Sequence, residues 1–345
     1  RDRRGAALLM DPDSVDSVGR VPHGSSDDPD VLDFSANVNT RVPDRARAAY
    51  NDAFAESRSY PPDDYPNFRA AAAEYVGCAH EQIVPTAGGL AALRLAIATA
   101  IRPGESALVP YPSFGEYARE VELQGGEPTL VPHDALLDRD PEPHALAVVC
   151  NPNNPTGDSY DADRLREFAV RCRKRDTLLV ADEAFLGFTD EPSLAGEPGV
   201  VVARSLTKLF GFPGLRAGFA VDGRESGRLE TARRAWSLGW PAARVGTVSM
   251  RDTAFIRETR ERVARERAFL ERALATEFTV TPSDSPFLLV EVPDHERLIE
   301  RARESGVVVR DATTFRGIDS HVRVAVRERE ENERLLAALG VDVSE

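Results

Sequence analysis

Lysine is nearly missing from this 345-residue chain: Lys174 and Lys208 are the only two. Almost all of its positive charge is therefore arginine, and carboxylates outweigh it to a formal net charge of −14. That balance argues against nucleic acid and anionic membranes as partners. Acidic, lysine-poor composition fits a salt-loving organism, where exposed carboxylates keep a surface hydrated; it fits equally an arginine-rich high-GC genome. Cysteine is also scarce. Cys78, Cys150 and Cys172 are odd in number and lack metal-ligand spacing, which points to reduced thiols, no metal and a cytoplasmic location. No apolar run approaches the ~20 residues that span a bilayer. The start, Arg1 to Met10, is basic with an apolar part too short for a signal peptide.

What is present suggests about two domains with a sizeable core, since 42% of the residues are hydrophobic. Residues 1–30 are polar and read as mobile or loosely attached. A short strand is expected over 31–35. Asn67 is placed to cap an alanine-rich helix over 68–77. Strands and helices then alternate. Strands fall at 82–85, 106–110, near Thr129, at 145–150, 177–181, 200–203 and 215–221. Helices fall at 90–101, at 114–124 behind a Ser113 cap, and at 161–174 behind Asp161. Continuous apolar strands separated by helices imply a mostly parallel sheet covered on both faces, with ligands at the carboxyl ends of its strands. After about residue 250 a long charged helix (251–276), strands at 278–281, 287–292, 307–310 and 322–326, and helices at 295–305 and 329–339 form a smaller α+β unit.

Several candidate groups fall at the predicted strand ends. Ser205 and Arg216 bracket Lys208, and Gly211 and Gly214 keep the loop between them small. A lysine able to lose its proton is a carbonyl nucleophile, and a hydroxyl with a guanidinium suits a phosphate. By itself this stretch fits a glycine-containing surface loop equally well. Gly88-Gly89-Leu90 opens a helix with bare backbone N–H groups, although diglycine turns are common. Asn154 lies in an Asn-Pro-Thr-Gly turn, and Asp182 closes a strand where it can pair with a protonated ring nitrogen or serve as a cap. Phe114 can stack on a ring or pack in the core. Arg323, inside an apolar strand, needs an anionic partner.

The order of these features resembles the fold-type I pyridoxal-phosphate (PLP) enzymes, the aspartate aminotransferase superfamily, over roughly residues 20–340. The resemblance implies a large domain (46–250) with a mostly parallel seven-stranded sheet sandwiched by helices. It also implies a small domain built from both chain ends: an N-terminal arm and part of the small domain (1–45), and the C-terminal domain (251–345). It makes Lys208 the Schiff-base lysine and proton shuttle, and Asp182 the partner of the pyridine nitrogen. Asn154 would donate to the ring's 3-oxygen and Phe114 would stack on the ring. Gly88, Gly89, Leu90, Ser205 and Arg216 would bind the phosphate. Tyr60 would reach the phosphate of a neighbouring subunit's cofactor, implying a homodimer with shared sites. Arg323 would hold a substrate carboxylate or phosphate, with His23, Asn37, Arg316 and Arg327 as further substrate contacts.

Two branches fit: histidinol-phosphate aminotransferase and threonine-phosphate decarboxylase, the latter serving cobalamin assembly. Three features favour the decarboxylase. One is His23-Gly24 followed by Asp33-Phe34-Ser35-Ala36-Asn37-Val38-Asn39. A second is Phe185, where many aminotransferases carry tyrosine. The third is the run Val309-Arg310-Asp311 to Glu331-Asn332-Glu333-Arg334-Leu335-Leu336. The glycine turn lacks the Ser or Thr often found there, Ser25 replaces a second glycine, and Thr40-Arg41 replaces Pro-Leu. A non-catalytic binding protein on this fold is the competing reading of another class; retention of Lys208, Asp182, Asn154 and Arg216 together weighs against it.

Overall fold

The computed structural model describes residues 10–224 and 227–342. The basic start, Arg1 to Leu9, lies outside the described residues. Among the described residues the strands are β1 (Leu32–Asp33), β2 (Ile83–Thr86), β3 (Ser106–Tyr111), β4 (Glu127–Pro132), β5 (Leu146–Cys150), β6 (Leu178–Asp182), β7 (Val200–Ser205), β8 (Gly218–Asp222), β9 (Thr279–Val280), β10 (Phe287–Glu291), β11 (Val307–Val308), β12 (Arg310–Asp311) and β13 (His321–Ala325). The helices are α1 (Pro12–Val15), α2 (Ala46–Glu56), α3 (Pro66–Val76), α4 (Gly89–Ala100), α5 (Glu116–Leu123), α6 (Ala162–Lys174), α7 (Arg228–Ala232), α8 (Trp240–Met250), α9 (Thr253–Leu274), α10 (His295–Glu304) and α11 (Arg329–Leu339).

The main sheet has seven strands in the order β2-β8-β7-β6-β5-β3-β4, and β8 alone runs against its neighbours. The expected mostly parallel sheet is therefore present. Strands β5, β6 and β8 are buried at every position because both faces are covered, whereas the edge strand β4 is only partly covered. Leu146, Val148 and Cys150 of β5 point into one core, and Ala147 and Val149 into the other. Strand period two thus splits one continuous apolar run between two helix layers.

A second sheet, β12-β13-β10-β9, is antiparallel, and β1 from the start of the chain pairs in parallel with β11 near its end. Segments far apart in sequence, 32–33 and 307–308, therefore meet. In that second sheet Arg310 lies directly opposite Arg323.

Some local expectations change. α3 begins at Pro66, with Tyr65 as its cap at φ 45°, so Asn67 sits inside the first turn rather than capping it. Proline at the first helical position is preset in φ and needs no N–H partner there. α5 starts at Glu116; Ser113 instead donates its hydroxyl to Asn153 Oδ1 at 2.8 Å. β8 starts at Gly218, not 215, because Arg216 has a left-handed backbone (φ 52°). The strand expected over 307–310 is two short strands that pair with different partners. Asp161 does cap α6, accepting from the amides of Asp163 and Arg164.

The arm expected to be loose is tied down from Asp11 to Pro22. Asp11 N–H donates to Leu123 O (2.8 Å), Arg119 to Gly19 O (2.9 Å) and Arg310 to Pro22 O (2.8 Å). Backbone carbonyls of a polar segment are what arginines on a folded surface can hold, so low hydrophobicity did not leave it free. Among the described residues no helix is long and apolar enough to cross a membrane, and no cluster of potential ligands suits a metal ion.

Candidate active site

β2, β3, β5, β6 and β7 all point their carboxyl ends to one side of the sheet. The loops leaving them surround a cavity of about 840 Å³. One end of it is a cradle. Gly88, at φ 93° and ψ 169°, takes a conformation open to glycine alone and directs the chain into α4. A Cβ on Gly88 would lie 2.6 Å from Arg216 Nη2, and one on Gly89 would lie 3.1 Å from Ser205 Cβ. The first amides of a twelve-residue helix, a hydroxyl and a guanidinium therefore converge. Arg216 donates to Pro213 O (3.1 Å) and has no carboxylate partner among the described residues. Ser205 Oγ lies 2.7 Å from Thr207 Oγ1, so a second hydroxyl stands beside it. Leu90 also lines the cavity. The set suits a phosphate group: helix-end amides, neutral donors and one fixed cation.

Lys208 reaches the same cavity from the loop after β7. Burial first, then the nearby Arg323 and Arg216 guanidinium groups, push its ammonium down to about 8. Asp182, at the end of β6, is buried, and burial pushes its carboxyl up. Two donors oppose that: Tyr117 Oη at 2.7 Å on Oδ2 and the Ala184 amide at 3.0 Å on Oδ1. Tyr117 is itself fully buried, which raises its phenol well above the ordinary value, so it remains a donor at neutral pH. The lining thus offers a neutral amine near pH 8 and a held carboxylate. A protonated ring nitrogen would suit the carboxylate. Phe114 forms a wall, edge-on to Tyr117 with ring centroids 5.6 Å apart. Phe185 packs edge-on against Phe287, with Lys208 Nζ 5.8 Å from its ring centre.

The other end of the cavity is cationic. Arg323 is buried between Phe287 and Phe315, with its guanidinium carbon 5.2 and 5.6 Å from their ring centres. It donates to Ser35 O (2.9 Å) and to Asn154 Oδ1, while its Nε has no partner among the described residues. Burial, and then Arg310, lower its pKa to about 9. Neither Arg310 nor Arg323 has a carboxylate within ion-pair distance among the described residues. Arg316 also lines the cavity, as does Asn37, whose Oδ1 is buried without a partner among the described residues. His23 lies at the rim, tilted against Phe114 with centroids 5.7 Å apart, its Nε2 3.0 Å from Glu116 Oε1.

Arg327, expected as a substrate contact, lies outside the cavity, whereas Tyr60, expected to serve a neighbouring copy, lies on the surface. Arg327 is turned away from the cavity, bonded to Asp33 O (3.1 Å) and Glu331 (2.8 Å). Tyr60 is 76% exposed on the outer surface, stacked on Trp236 at 4.5 Å. Sequence reasoning missed Tyr117, Thr207 and the cavity role of Arg310. Tyr117 follows Phe114 by three residues, one helical turn, which was the available signal.

The chain is similar to known proteins over most of its length. The profile described as "Aminotransferase class I and II" matches residues 29–339. The chain is 31% identical to threonine-phosphate decarboxylase of Salmonella typhimurium over 90% of each chain. It is 29% identical to histidinol-phosphate aminotransferase 2 of Archaeoglobus fulgidus over 90% of this chain and 93% of the other. Among solved structures, histidinol-phosphate aminotransferase from Sinorhizobium meliloti in complex with pyridoxal-5'-phosphate superposes with a TM-score of 0.80 over 89% of each chain, at 20% identity. The chain therefore belongs to the aminotransferase class I and II family, the fold-type I pyridoxal-phosphate enzymes that its sequence resembles.

Proposed function

We propose that the protein decarboxylates L-threonine O-3-phosphate to (R)-1-aminopropan-2-yl phosphate and CO2, a step that supplies cobalamin nucleotide-loop assembly in the cytoplasm. The carrying observation is the Arg310–Arg323 pair. These are two cross-strand arginines lining the cavity, close enough to perturb each other, with no carboxylate within ion-pair distance among the described residues. A substrate with both a carboxylate and a phosphate gives such groups their counter-charges. The resemblance of the His23-Gly24 opening, Phe185 and the 309–336 run to the decarboxylase branch supports the same reading, as does the Salmonella relative.

When bound, PLP supplies an electron sink for the pair released as a bond to the substrate Cα breaks. Gly88, Gly89, Leu90, Ser205 and Arg216 would hold its phosphate, Asp182 its ring nitrogen, Asn154 its 3-oxygen and Phe114 one ring face. Arg323, Arg310 and Arg316 would bind the two anionic groups of the substrate, with Asn37 and His23 closing the rim. Lys208 is the one lysine in the cavity, and its lowered pKa keeps a useful share of it neutral near pH 8. After CO2 leaves, Lys208 would return a proton to Cα. Tyr60 would act on the neighbouring copy in a homodimer; the apolar groups Tyr50, Phe54, Tyr60 and Trp236, exposed on one chain, support such a contact.

The second reading is histidinol-phosphate aminotransferase, favoured by the archaeal relative. The test offers cofactor-loaded protein in high salt L-threonine O-phosphate alone, following CO2, and in parallel L-histidinol phosphate with 2-oxoglutarate, following glutamate. CO2 without any keto acid supports the decarboxylase. Glutamate formation without CO2 release overturns it in favour of the aminotransferase.

A further inference from the structure

The loop that carries Lys208 is held from outside the main sheet, by a residue no part of the proposed chemistry uses. Asn39 is buried in the turn after β1. Its backbone N–H donates to the Lys208 carbonyl (3.0 Å), and its Nδ2 donates to the Leu209 carbonyl (2.7 Å) and lies 3.4 Å from Thr259 Oγ1 of α9. Its Oδ1 accepts from the Arg41 N–H (3.1 Å) and from the buried Arg262 of α9. One amide thus joins three segments and spends all its hydrogen-bonding capacity doing so. Arg262 in turn pairs with Glu328 at 3.0 Å. Glu328 caps α11 and also accepts from Thr40 Oγ1 (2.8 Å) and Arg41 Nε (2.9 Å). The two loops touch so closely that a Cβ on Gly211 would lie 2.7 Å from Arg41 O and 2.9 Å from Asn39 O.

We infer that Asn39, anchored by Arg262 and Glu328, is a positioning residue for Lys208: it fixes the two peptide carbonyls from which that side chain is aimed into the cavity. The inference rests on the role given to Lys208, but not on which reaction the enzyme performs. The Lys208 amine forms no hydrogen bond to a described residue, so its place is set by its backbone and by packing. Asn39 grips that backbone at consecutive carbonyls, a register that a slip of one residue would break.

Arg41 belongs to the same network but touches no Lys208-loop carbonyl through its side chain. It distinguishes positioning from general support.

The chain's poverty in lysine makes the test simple. In the cofactor-free full chain, competitive acetylation across pH, read by peptide mass spectrometry, reports Lys208 against the exposed Lys174 as internal reference. Lys208 in the native chain should titrate near 8 because it is buried between Arg323 and Arg216, with Asp182 opposing them. Asn39→Ala and the isosteric Asn39→Asp should let the loop slip and the amine hydrate. The midpoint then rises by about one pH unit, roughly a tenfold loss of neutral amine at pH 7. In the cofactor-loaded variants the visible absorbance band should shift its pH midpoint as well. Arg41→Ala should lower the melting temperature and leave the Lys208 midpoint in place. An unchanged midpoint in either Asn39 variant that folds overturns the inference. So does an Arg41→Ala shift as large as that of the Asn39 variants. Neither outcome bears on whether CO2 or glutamate is the product.

Discussion

Removing the Tyr117 hydroxyl isolates what holds Asp182. Tyr117→Phe keeps the ring, its edge contact with Phe114 and its volume, and deletes one donor at 2.7 Å from Asp182 Oδ2. A hydrogen bond to a charged group is worth about 1.5–3 kcal/mol, and its loss at a buried site leaves that oxygen without a partner. The effect carries a pH signature. Burial raises the folded-state pKa of Asp182 above its unfolded value, so its contribution to stability is full below the unfolded pKa and is lost as pH rises through the folded one. Tyr117 limits that loss, because its hydroxyl favours the carboxylate. Without it the folded-state pKa climbs further and the loss above it deepens. Thermal unfolding of the cofactor-free protein should therefore show Tyr117→Phe destabilised by a few degrees at pH 8, and by clearly less at pH 5. Equal destabilisation at both values would mean that only packing was lost, and would refute the assignment of Tyr117 as a donor that favours the Asp182 carboxylate.

Lys208→Ala should bind PLP without the visible band of the lysine-bound cofactor and show no turnover; retention of the band in an absorbance scan would remove Lys208 from its role. Arg323→Met fits the slot between Phe287 and Phe315 and removes a buried cation that has no carboxylate within ion-pair distance among the described residues. The ligand-free protein should melt higher while kcat/KM falls roughly a hundredfold or more, as loss of a buried charge partner implies. Gly88→Ala would place a methyl 2.6 Å from Arg216 Nη2 in a backbone conformation that alanine resists. PLP retention in equilibrium dialysis should fall at least about tenfold, a ~1.4 kcal/mol loss.

The parts of the site legible in sequence are those that end strands. Asp182, Asn154, Ser205 and Lys208 each follow a continuous apolar run, and period-two burial on both faces fixes where such a run stops. Arg216 and the Gly88-Gly89 turn were legible because phosphate chemistry restricts residue types. Arg310 was hidden because its place in the cavity depends on the register of β12 against β13, which no local pattern encodes. Tyr117 was hidden because a tyrosine on an amphipathic helix reads as core until its hydroxyl finds a carboxylate. Helices α2 and α8 were not foreseen: the alanine-rich α2 and the proline- and glycine-containing α8 give only a weak amphipathic pattern. Arg327 misled for the opposite reason. It sits in a strand-following position beside Arg323, yet its side chain reaches back to Asp33 O, far away in sequence, and to Glu331 one helical turn on.

The cavity and the molecule carry opposite signs. Arg20, Arg216, Arg310, Arg316, Arg323 and Lys208 line a space in which Asp182 is the sole carboxylate among the described lining residues, whereas the whole chain stands at −14. An approaching phosphate therefore meets a repulsive far field before it feels the attractive near one. Screening shortens the far field most, since the Debye length contracts from about 10 Å at 0.1 M salt to about 3 Å at 1 M. Added salt should thus quicken the capture of a doubly charged substrate, the reverse of what is seen when a protein's overall charge draws its ligand in. Such a molecule works as an anion trap with a toll of its own sign at the entrance, and brine lowers the toll.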